Sequence, residues 1–223
     1  MKNPFAGLDD IPWSTLLHAQ GPAADVPANI RALASTDTTT WQTAMQALYA
    51  TIYHQGIIYG ATAPALPYLF DLLDVVVVDA KPILRGLIAA IAAGSGELEV
   101  QLGGEDSDDE DGDGDHDDTA LAEALKAEGK DLDTELAREE LEIGAVQEVI
   151  SPHLPLLLSW LGDEDDQVRY DVVTACLNHP ERLDIIAPAF RAALEQEQTD
   201  DVGLLLENVL ELLENDESEH EDL

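Results

Sequence analysis

With 223 residues, 45% of them hydrophobic, the chain is long enough to close one sizeable core. Its 47 acidic and 10 basic residues give a formal charge of −37, a field that repels nucleic acid and anionic membrane surfaces and attracts cationic proteins. One cysteine excludes an intrachain disulfide, and no apolar run reaches the roughly 18 residues of a membrane span.

The opening residues, Met1-Lys2-Asn3-Pro4-Phe5, lack the apolar core of a signal peptide, so a cytoplasmic address is expected. Trp13, Leu16 and Leu17 predict a short helix behind Pro12, broken by Gly21-Pro22, and residues 26–33 predict another. Residues 35–40 offer several helix N-caps. Trp41, Ala44, Met45, Leu48 and Ile52 then recur at helical spacing, and Gly56 is placed to end that helix in a left-handed conformation. Leu66, Leu69, Phe70 and Leu73 form the next stripe, led by Pro64 and Pro67. Val75-Val76-Val77-Val78 has strand propensity, but so short a run directly after a helix reads better as a connector. Ile83, Leu84, Leu87, Ile88 and Ile91 make a further stripe, stopped by Gly94-Ser95-Gly96.

Charge divides the chain unevenly. Residues 1–104 carry a net −5 and residues 105–223 a net −32. Within 103–118, ten of sixteen residues are acidic and none is apolar, so nothing offsets the entropy of ordering the segment, and a disordered insertion is expected. Asp109, Asp111, Asp113 and Gly114 match the opening of an EF-hand loop, but the position of its bidentate Glu holds Ala120. No metal site is therefore expected. Leu121, Ala124 and Leu125 return to helix, Gly129-Lys130 interrupts, and Leu132, Leu136, Ile143, Val146 and Ile150 lead to Ser151-Pro152.

Four stripes follow without a long break. They are Leu154, Leu157, Leu158, Leu161; then Val168, Val172, Val173, Cys176, Leu177; then Leu183, Ile186, Ala187, Phe190, Leu194; then Val202, Leu205, Leu206, Val209, Leu213. They read as two helix–turn–helix units, with Pro155 and Pro188 at matching positions. Asp165/Asp166 and Asp200/Asp201 sit where second helices begin, and there they favour the positive end of the dipole. Neither pair buries its apolar face alone, whereas stacked pairs do, which is the logic of an α-solenoid. The tail after residue 214 is acidic and expected to fray.

Two stretches carry a family resemblance. Gly162-Asp163-Glu164-Asp165-Asp166-Gln167-Val168-Arg169-Tyr170 resembles the inter-helix turn and second-helix start of HEAT repeats. Tyr53-His54-Gln55-Gly56, Tyr59 and Ala61-Thr62-Ala63-Pro64, with the helix after them, resemble a family of bacterial HEAT-repeat proteins of unassigned activity. The resemblance implies a scaffold and no particular chemistry. The expected fold is all-α: a short α-solenoid of HEAT-like antiparallel helix pairs, with at most one short β-hairpin. It is divided into a helical block 1–102, the insertion 103–118, a helical block 119–214 and the tail 215–223, with the helical blocks forming one continuous domain.

No Walker loop, Gly-x-Ser-x-Gly or Cys-x-x-Cys occurs, and the six histidines form no His-x-x-x-His pair. Cys176 lies in a core stripe and reads as a small apolar residue. His179, beside Pro180, reads as a helix-end residue. The chain is therefore expected to be no enzyme and to hold no cofactor. The expected function is an immunity- or antitoxin-type protein that neutralises a basic protein, such as a toxin or nuclease domain, by direct binding. A general scaffold or assembly factor is the alternative; an enzyme rests only on His54, Gln55 and Tyr59. Candidate partner-binding residues are Asp163, Glu164, Asp165, Asp166, Asp200 and Asp201 at the turns. Tyr53, His54, Gln55 and Tyr59 join them, unless the polar pair satisfies backbone at a helix end while the tyrosines pack. Deleting residues 103–118 should leave the thermal midpoint within about 2 °C of the parent by circular dichroism, because no apolar contact is lost.

Overall fold

The apolar stripes become helices whose inner faces meet in one core. A computed structural model describes residues 3–98, 100, 118–127 and 129–220 of the chain. Its helices are α1 (Val26–Ala32), α2 (Thr38–Tyr49), α3 (Thr62–Leu72), α4 (Lys81–Ala92) and α5 (Asp118–Ala127). They continue with α6 (Leu132–Ile150), α7 (Leu154–Leu158), α8 (Asp166–Leu177), α9 (Leu183–Leu194) and α10 (Asp200–His220). Three starts are fixed by aspartate. Asp37 accepts the Thr40 N–H at 2.9 Å, Asp131 that of Thr134 at 3.2 Å, and Asp165 that of Gln167 at 3.1 Å, each satisfying a donor the helix cannot.

The helices pack in a regular order. α1 lies on α2 and α3 on α4, while the C-terminal pair is α9 on α10. Between pairs, first helices meet first helices: α1 touches α3, α3 touches α6, and α7 touches α9. Second helices meet second helices: α2 touches α4, α4 touches α8, and α8 touches α10. The result is one hydrophobic cluster from Leu8 to Leu210 that passes through every pair. The expected N-terminal and C-terminal blocks therefore share a core. Gly86 of α4 faces this seam: a Cβ there would lie 3.2 Å from the Tyr49 hydroxyl of α2 and 3.8 Å from Val168 of α8.

Several local expectations are corrected. Behind Pro12 only a single 3-10 turn forms, Trp13–Thr15; Leu17–His18 is then a strand, β1, paired antiparallel with β2, Gly21–Pro22. His18 is buried and its Nε2 lies 2.9 Å from Asp25 just ahead of α1, tying this hairpin to the first helix. A second hairpin pairs β3 (Tyr53–His54) with β4 (Ile57–Ile58). Its turn holds Gln55 at φ 53° and Gly56 at φ 88°, the two left-handed residues of a type I′ turn. Gly56 is thus left-handed as expected, but it turns a hairpin instead of capping α2. Two hairpins exceed the one that was allowed for. Each strand is two residues long, so both act as connectors between helices, and the chain is mostly helical.

The second hairpin closes the end of α4. Ile58 N–H donates to the Ser95 carbonyl and Ser95 N–H to that of Gly56, so Gly94-Ser95 adds a bridge beside β4. A Cβ on Gly94 would lie 2.7 Å from the Ile58 side chain, which is why glycine stands there. The valine run is a connector, as expected, with Val76 buried and Val75 and Val78 exposed. Ile83 and Leu177 belong to apolar stripes yet are exposed, because each lies on the outer edge of its helix. α10 runs on to His220, so the tail begins as helix. The expected insertion lies outside the described residues apart from Asp118, which opens α5.

Cys176 is buried in α8, and burial pushes its thiol up to about 12. His179 is also buried, with Nδ1 3.4 Å from Glu181. Leu87 in α4 is fully enclosed. Leu87→Ala should lower unfolding stability by about 2–5 kcal/mol, read from urea denaturation followed by far-UV circular dichroism.

Candidate functional site

The turn between α7 and α8 is acidic in sequence, but its four carboxylates have different surroundings. Asp163 is not available to a partner: its side chain is 5% exposed and its Oδ2 lies 3.0 Å from the Arg85 guanidinium of α4. Its other oxygen accepts the Asp165 N–H. Asp165 is exposed and caps α8, while Glu164 and Asp166 are exposed. On α10, Asp200 and Asp201 are exposed within the first turn of the helix, where their charge suits its positive end.

Arg169 ties these two acidic regions together. Its guanidinium makes a two-pronged pair with Glu197, with Nε–Oε2 and Nη2–Oε1 both at 2.8 Å. It also donates to the Asp163 carbonyl at 2.8 Å and to Thr199 Oγ1 at 2.9 Å. The α7–α8 turn and the α9–α10 turn are thereby clamped by one side chain. The guanidinium holds the Glu197 carboxyl down at about 2, helped by N–H groups of Thr199 and Gln198 against the cost of burial. Both side chains are largely enclosed, 12% exposed for Arg169 and 5% for Glu197.

The clamp sets α8 beside α10 with a groove of about 470 Å³ between them. Asp166 and Asp201 stand on it, and Tyr170 and Leu204 line it while remaining 39% and 58% exposed. The sequence reading missed both the clamp and the groove's apolar centre. Tyr170 and Leu204 lie off the core stripes, so a helical-wheel reading discards them as surface. It also missed Asp171, one turn beyond Gln167, whose Nε2–H donates to it at 2.7 Å. Burial raises the Asp171 pKa, and its charge in turn helps burial raise those of Tyr49 and Tyr53.

The second predicted cluster lies on and beside the β3–β4 hairpin. Tyr53 packs edge-on to Tyr49, with ring centroids 6.3 Å apart. Gln55 is at the turn and exposed. Tyr59 is partly buried, its N–H donating to Thr62 Oγ1, and burial with nearby Glu97 and Glu139 raises its pKa. His54 stands on a groove of about 610 Å³ lined by Trp41, Met45, Tyr49 and Ile83. His54 stands on the groove, Gln55 at the exposed turn, and the Tyr59 N–H turns to Thr62, so the three have different surroundings. Among the described residues, no group of three or more His, Cys, Asp or Glu is placed to hold a metal ion, and no helix is long and apolar enough to cross a membrane. The EF-hand-like positions 109–114 lie outside the described residues, and the side chain of Ala120 is likewise undescribed.

The clamp has a pH signature. Because Glu197 titrates lower folded than unfolded, its contribution is fully present above about pH 4.5 and is lost as pH falls from there to about 2. Glu197→Gln should therefore be less stable than the parent by on the order of 2 kcal/mol at pH 7, and the gap should close between pH 5 and pH 2. Urea unfolding of both proteins across that range checks it, and a gap that does not change with pH would remove the charge from the clamp. No family model, curated protein or solved structure matches the chain.

Proposed function

We propose that the chain is a non-enzymatic acidic binding module, a short HEAT-like solenoid that neutralises a basic protein by direct contact, in the manner of an immunity protein against a toxin or nuclease domain. The alternation of first helices on first helices and second on second supports the solenoid reading, since each pair covers the next. The single observation that carries the functional reading is the pairing of cations inside the chain. Arg31, Arg85, Arg138, Arg169 and Arg182 each lie against a carboxylate of the chain, and the excess of acidic over basic residues, a net −37, sets the outward field. Glu164, Asp165, Asp166, Asp200 and Asp201 are exposed along two turns held together by Arg169. The groove at His54, mostly apolar around Trp41 and Met45, favours the general-scaffold alternative, in which the partner need not be basic.

Immobilised protein offered a cell extract at about 0.02 M and about 0.5 M salt separates the two, with captured proteins identified by mass spectrometry. The expected partner is basic, and its association should slow at the higher salt. Reversing Glu164, Asp166, Asp200 and Asp201 together to Lys should slow association by about 10-fold or more. Asp165→Asn should keep the cap and have a small effect. An acidic partner, or capture equally fast at both salts, would overturn the electrostatic reading in favour of the scaffold.

A further inference from the structure

The groove between α8 and α10 has an axis with chemistry that changes along it. Both helices begin with an exposed carboxylate, Asp166 and Asp201. One turn later each presents a large apolar side chain to the groove, Tyr170 from α8 and Leu204 from α10, with Leu205 beneath. Farther along, α10 turns polar at the exposed Glu207 and Asn208, so the apolar part of the groove is confined to Tyr170, Leu204 and Leu205. Apolar side chains this exposed on two adjacent helices, bordered by acids at one end, match the anatomy of an interface with an apolar centre and a charged rim.

Charge selects the occupant. A second copy of the chain would bring a molecule of net −37 against the acidic end of the groove, and the chain's own segment 103–118 carries the same sign. Resting on the reading above, we propose that this groove is the seat of a cationic amphipathic segment of the partner protein. The segment lays basic side chains against Asp166 and Asp201 and an apolar side chain between Tyr170 and Leu204. Carboxylates here give on-rate and orientation, while the apolar contact sets residence time. Arg169, held inward by Glu197, keeps its own charge off the groove floor.

Two synthetic peptides of about 14 residues and equal positive charge test this, one with Leu and Lys at helical spacing and one with each Leu replaced by Ser. Binding is read by fluorescence anisotropy at about 0.15 M salt. The Leu peptide should bind about 10-fold or more tighter than the Ser peptide. Leu204→Ser, at a position exposed enough to fold normally, and Tyr170→Ala should each reduce that ratio to within about 2-fold and leave the Ser peptide's affinity unchanged. Asp166→Asn with Asp201→Asn should weaken both peptides by a similar factor. Equal, salt-sensitive binding of the two peptides would overturn the groove and leave electrostatic capture standing. A preference that survives Leu204→Ser would put the seat elsewhere. Failure of both peptides to bind even at low salt would overturn groove and capture together. Sedimentation should show a monomer; a dimer abolished by Leu204→Ser would assign the groove to self-association.

Discussion

The C-terminal half depends on the pairing of Arg169 with Glu197. In a region of net −32, the two turns that join α7 to α8 and α9 to α10 would otherwise repel each other, because both are acidic. A single guanidinium placed between them converts that repulsion into attraction, donating to one carboxylate, one carbonyl and the Thr199 hydroxyl oxygen. Arginine suits the position because its planar fork serves both turns at once; lysine would bring one point charge. Arg85 plays the neighbouring part, reaching from α4 to Asp163. Two arginines thus link three successive helix pairs along one edge.

That arrangement has a cost that the core must offset. Enclosing ionic groups carries a desolvation penalty, and high net charge favours expanded states. The continuous cluster from Leu8 to Leu210 supplies the compensating burial. Apolar stripes hold the pairs together, and the partly enclosed Arg85 and Arg169 align their turns.

Much of this was legible in the sequence, for reasons tied to length. Stripes such as Trp41-Ala44-Met45-Leu48 and Val168-Val172-Val173-Cys176 repeat over several turns, so period alone identifies them, and their residues are buried. The two hairpins were not legible. Strands of two residues have no alternation to detect, and the type I′ turn uses Gln55 where Asn or Asp would have signalled it. The acidic turns were visible in the sequence, but their members could not be told apart there. Asp163 and Asp166 look alike in Gly162-Asp163-Glu164-Asp165-Asp166, and only the arrival of Arg85 from a distant helix separates a structural carboxylate from an accessible one. Tyr170 and Leu204 escaped because an exposed apolar residue acquires meaning only from the helix beside it.

Cys176 sits in α8, the helix that touches both α4 and α10, and nothing else in the chain carries a thiol. Enclosed and protonated, it is inert toward alkylating reagents until the packing around α8 separates. The native sequence therefore contains its own clock for opening. The alkylation rate of this one sulfur counts how often the middle of the molecule comes apart, with no label introduced and no charge on the acidic face disturbed.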